Sequence, residues 1–175
     1  MADDSEAHIA KLTRRMASRY IDAVILGLND ALVELIGALA GFTIGLHNSK
    51  LIILAGITTG VSATLSMAAS EFLAKEAETR QNNSYFAAFC TGSAYLVTTA
   101  ILLLPYFIFT NPFIALIVSF IFAVLIIIAF TYTASKIRHT SLIHDCLQML
   151  AISFNIAAIS FLISWLAKFW WNIEI

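Results

Sequence analysis

Five long apolar stretches separated by short polar breaks divide this sequence. The first covers about residues 20–46 and stops at "HNSK", residues 47–50; the second covers about 51–74 and stops at the charged run "KEAETRQNN". The third, about 85–109, closes at "TNP", residues 110–112. The fourth, about 113–134, precedes "SKIRHTSLIHD", and the fifth covers about 146–170. At 1.5 Å of rise per residue each stretch spans the roughly 30 Å of a bilayer's hydrocarbon as a helix. The pattern predicts an all-α integral membrane protein with five transmembrane helices. Ahead of them, Ile9, Leu12 and Met16 recur at helical spacing between bases. That predicts a short amphipathic helix on the cytoplasmic surface, with a frayed charged tail as the alternative. The chain thus divides into an N-terminal segment, residues 1–19, and a transmembrane domain, residues 20–175.

Composition agrees. The 175 residues are 60% hydrophobic and 12% charged, where soluble domains carry about 25% charged residues. A chain this short cannot bury so much apolar surface in one water-soluble core. A net charge of -1 gives no basic surface for nucleic acid. Cys90 and Cys146 stand outside any metal or redox spacing and read as small buried side chains. The charged first nineteen residues argue against a secretory signal peptide.

The bases set an orientation. Lys11, Arg14, Arg15, Arg19, Lys75, Arg80, Lys136 and Arg138 fall on one side of the five spans, and Lys50 and Lys168 on the other. Basic loops stay in the cytoplasm, so the N-terminus is expected there and the C-terminus outside. Trp165, Trp170 and Trp171 suit an aromatic belt at the outer interface. An odd number of spans excludes duplication of the whole chain, and a pore that needs more helices would come from a homodimer.

Within the apolar runs the acids stand out. Asp30 and Glu34 share one face of the first span. At helical rise Asp30 lies about 15 Å in from Tyr20, near mid-bilayer, with Glu34 about 6 Å further outward. Met67 and Glu71 share a face of the second span, with Glu71 near the cytoplasmic interface and Glu76 and Glu78 at its mouth. No basic residue lies in a predicted membrane core to pair with Asp30, and an intramembrane acid marks a functional site by default. Carboxylate oxygens with one soft thioether favour transition metals over magnesium and calcium. Fe²⁺, Mn²⁺, Co²⁺ and Zn²⁺ fit that description, and carboxylates that shed protons on binding metal, here Asp30 and Glu34, supply a means of proton coupling; Glu34, on the exit side, either joins the metal site or only relays protons. Plainer readings compete: packing for Met67, an interfacial anchor for Glu71, and a solvated charged turn for Glu76 and Glu78 beside Lys75 and Arg80. Asn155 reads as an interhelical hydrogen-bonding group. His139, His144 and Asp145 read as a polar loop or a loose metal site.

Gly37, Gly41 and Gly45 recur every four residues in the first span. In the second, Gly56, Gly60, Thr64 and Ala68 do the same, beside a stripe of Ser62, Ser66 and Ser70. Small residues on one face allow close approach of helices, so spans one and two are expected to pack together or on their copies in a partner.

Together "ILGLNDALVELIGALAGF" and "AGITTGVSATLSMAASEFLAKEAE" resemble the vacuolar iron transporter family of iron and manganese carriers. The resemblance rests on Gly27, Asn29, Asp30, Ala31, Leu32 and Val33, then on Ala55, Gly56, Ser66, Met67, Glu71 and Phe72. "LLLPY" in span three and "MLAISFNIAAISFLISWLA" in span five extend it over nearly the whole chain. It implies five transmembrane helices, a homodimer, and export of Fe²⁺ or Mn²⁺ from the cytoplasm in exchange for protons, without a resident cofactor. It also implies metal sites at Asp30, Met67 and Glu71. Glu34 and Ala31 are similar to the bacterial and archaeal branch, which implies the cytoplasmic membrane of a prokaryote. Some members of that branch are fused to a ferritin-like domain. Only about ten residues join spans two and three, where eukaryotic members carry a metal-collecting domain. Capture then falls to Glu71, Glu76 and Glu78, or to a partner such as a cytoplasmic iron-storage protein. Two other classes remain: a structural membrane protein whose acids pair with a partner's bases, and an intramembrane enzyme, for which no nucleophile or HExxH signature speaks.

Overall fold

The polar breaks at 47–48 and 109–111 become turns for local reasons. In a computed structural model, the backbone is described over residues 2–79, 84–138 and 142–171, and side chains over 21–77, 84–135, 143–144 and 146–170. Five helices follow one another: α1 (Ala2–Leu46), α2 (Ser49–Thr79), α3 (Ser84–Ile108), α4 (Pro112–Arg138) and α5 (Leu142–Trp171). His47 turns the chain with φ of 50°, and Asn48 then caps α2, its Oδ1 accepting from the Lys50 amide at 2.9 Å. Asn111 likewise caps α4, accepting from the Phe113 amide at 3.0 Å, with Pro112 in the first-turn position where a missing N–H does no harm. The Ser49 hydroxyl donates to the Thr110 carbonyl at 3.0 Å and ties these two turns together.

All five helices contain a stretch long and apolar enough to cross a membrane: Ile21–Leu46, Ser49–Ala77, Ser84–Ile108, Pro112–Ser135 and Cys146–Trp170. These match the expected spans to within three residues at each end. The helix of the N-terminal segment is continuous with the first span; its side chains, and with them the expected amphipathic face, lie outside the described residues.

α1 and α3 form the centre, each with half of its span buried, while α2, α4 and α5 surround them. α3 packs on α1 and α2, and α5 packs along α1. Leu32, Leu35, Ile36 and Leu39 of α1 meet Leu102, Leu103 and Tyr106 of α3 and Ile127 of α4 in the core. Phe89, Phe107, Phe154 and Phe169 remain more than 60% exposed, as befits side chains that face lipid.

The glycine stripes find partners other than those expected. Gly37 lies against Ile156 and Ser160 of α5, and Gly41 against Ser164. Gly56 and Gly60 face Leu103 and Thr99 of α3, and Gly45 has nothing within 4 Å. A small-residue stripe licenses close approach without naming the neighbour, so α1 and α2 each spend theirs on a third helix. The tightest approach is at Gly27, where a Cβ would collide with the carbonyl of Thr91.

Candidate metal pathway

Three hydroxyl contacts fix α3 against α1. Thr91 donates to the Ala23 carbonyl at 3.0 Å, Tyr95 donates to Glu34 Oε2 at 2.8 Å, and Thr43 and Tyr106 share a bond of 2.8 Å. α1 therefore has a defined rotation, and this rotation places its acids. Asp30 is half-buried, close enough to Glu34 for the two charges to repel. Beside it the Asn29 amide oxygen is buried without a hydrogen-bond partner, a donor oxygen left over next to a carboxylate.

Glu34 is exposed on the surface of a single chain. It opens onto a cavity of about 610 Å³ whose other walls are Thr58, Thr59, Ser62, Ala63 and Ser66 of α2. Ser62 and Ser66, expected as packing residues, instead line this space.

The remaining predicted ligands lie along α2. Met67 is half-buried, Glu71 is only 8% exposed, and Glu76 is exposed. The Glu78, His139 and Asp145 side chains lie outside the described residues. Among the described residues no three His, Cys, Asp or Glu side chains converge. Asn155 bonds its own helix, donating to the Ala151 carbonyl at 2.7 Å. Cys90 and Cys146 are free, half-buried thiols.

Tyr95 is the site residue that sequence reasoning missed. Its signal was present: Thr91, Tyr95, Thr98 and Thr99 fall on one face at helical steps, and all four are buried.

No curated protein matches the chain. The model of the VIT family, by contrast, matches residues 21–87 and 76–165. Together the matched segments run from the start of the first span into the fifth, across Asp30, Glu34, Met67 and Glu71 alike. A bundle of five membrane-length helices with acids inside its spans, matched over most of its length, belongs to the VIT family, the vacuolar iron transporters, and carries metal across a membrane.

Proposed function

We propose that this protein exports Fe²⁺ or Mn²⁺ from the cytoplasm in exchange for protons, by alternating access in a homodimer. The observation that carries the reading is the face of α2. Thr58, Ser62, Ser66 and Ser70 are exposed there, and Glu34 is directed into the cavity beside them. Hydroxyls and a carboxylate facing hydrocarbon are costly. A second copy across a two-fold axis would cover them and double each ligand, as closed symmetry requires.

Each residue then has a task. Glu71, buried near the inner end of α2, receives the ion, with Glu76 and Glu78 at the mouth and a ferritin-type storage protein as a candidate donor. Asp30 and Met67 hold it at mid-membrane, oxygen and sulfur together selecting a transition metal. Protons and metal compete for the same carboxylates, so loading on one side and protonation on the other couple the two fluxes. Glu34 serves the outer half.

Proteoliposomes with an imposed pH gradient test this. Wild type moves Fe²⁺ or Mn²⁺ and dissipates the gradient; Asp30→Asn and Met67→Ala each lose at least about tenfold in rate. Metal flux that ignores the gradient defeats the antiport, and full activity in both variants defeats the site.

A further inference from the structure

Glu34 and Asp30 sit one helical turn apart but in different chemical company. Asp30 shares its depth with a sulfur on α2, by the reading above. Glu34 faces the hydroxyl residues Thr58, Thr59, Ser62 and Ser66, with Ala63 among them, across a cavity of about 610 Å³. Carboxylate and hydroxyl oxygens without a sulfur are hard ligands that accept hydrogen bonds from the waters of a divalent ion. An open, hydroxyl-lined groove suits an ion that keeps its waters, because those waters can donate to the lining oxygens. The Thr58 hydroxyl donates back to the Leu54 and Ala55 carbonyls, both at 3.0 Å, so its lone pairs stay available to the cavity.

The carboxylate is also held. Tyr95 is fully buried at 0% exposure, and its hydroxyl donates to Glu34 Oε2 at 2.8 Å. Glu34 has three rotatable bonds and a like charge behind it at Asp30, so a fixed donor on a neighbouring helix decides where its second oxygen points. With Oε2 occupied, Oε1 is left for the cavity.

We infer that Glu34 and the hydroxyls of Thr58, Ser62 and Ser66 form a second station, for a hydrated divalent cation, and that Tyr95 is the positioning residue that aims Glu34 at it. The inference rests on the transport reading. It divides the path into a dehydrating, selective station at Asp30 and Met67 and a rehydrating, release station at Glu34. Disturbing the second slows release and leaves capture and metal preference intact.

The experiment is Mn²⁺ flux in proteoliposomes for wild type, Tyr95→Phe, Glu34→Gln, Glu34→Asp and Tyr95→Phe/Glu34→Gln. Phenylalanine keeps the ring in its buried place and removes only the donor. Maximal rate falls about tenfold in Y95F, the scale typical of removing a residue that orients a ligand, while KM stays within about twofold. E34D, with its carboxylate withdrawn by one methylene from the Tyr95 hydroxyl, behaves like Y95F and involves no buried substitution. The double variant is no slower than E34Q, because a hydroxyl that acts only through Glu34 has nothing left to aim. A merely structural tyrosine would multiply its loss onto that of E34Q, and this overturns the inference. So does wild-type rate in Y95F together with E34D, or a rise in KM at unchanged maximal rate. A wild type that moves no metal overturns the transport reading and this one with it, whereas an active wild type with unaffected variants overturns this one alone.

Discussion

A methyl group added at Gly27 has only the Thr91 carbonyl to occupy. That carbonyl belongs to the α3 backbone and cannot swing aside as a side chain would. Gly27→Ala therefore pushes α1 from α3 beside the Thr91–Ala23 bond, with a cost of about 1–3 kcal/mol for overpacking. Gly45→Ala supplies the control: nothing lies within 4 Å, and alanine gains about 1 kcal/mol of helix propensity. Thermal unfolding in detergent is expected to show a lower Tm for the first and an unchanged or higher one for the second; equal Tm values refute the packing assignment. At this scale the sequence was partly transparent. Asp30 and Glu34 announced themselves because nothing in the spans neutralises them. Tyr95 did not, since an aromatic ring in an apolar run reads alike whether its hydroxyl is idle or bonds a carboxylate 61 residues away in another helix. The same blindness applies to Gly27, whose place in the motif was plain and whose neighbour was not.

Helices were legible in extent and illegible in company. Apolar length and the caps at Asn48 and Asn111 are local properties, so span ends follow from sequence alone. Pairing is not local: a stripe of glycines on α1 suits α2, α5 or a second copy equally well, and the core decided for α5. One chain leaves hydroxyls uncovered on the α2 face, where Ser62 and Ser66 lie among exposed Leu54, Val61 and Leu65. If two copies meet there, their α2 helices run beside one another. With Cys90 and Cys146 replaced by Ala, Ser62→Cys and Ser66→Cys are expected to crosslink into dimers in native membranes under a short bifunctional thiol reagent. Ile128→Cys, 49% exposed on α4, is expected to remain monomeric. The reverse pattern moves the interface to α4 and removes the partner's ligands from the proposed path.

Orientation joins the elements into a direction of transport. Eight bases fall on the side of the N-terminus and of the α2–α3 and α4–α5 connections, and Lys50 and Lys168 on the other. On the proposed orientation, in which basic loops stay in the cytoplasm, the turns at 47–48 and 109–111 would lie outside. The proposed order along the normal would then be Glu76, Glu71, Met67, Asp30 and Glu34, with the acidic mouth toward the cytoplasm and the hydroxyl-lined cavity toward the exterior. The proposed export would use that order for capture and release, while the gradients of metal and protons set the direction of net movement. In a Cys90→Ala/Cys146→Ala background, Thr110→Cys is expected to react with a membrane-impermeant thiol reagent in intact cells. Glu76→Cys, exposed on α2, is expected to react only after permeabilisation. Should Glu76→Cys label first, the acidic mouth faces outward, and the same row of ligands would load metal from outside and deliver it inward.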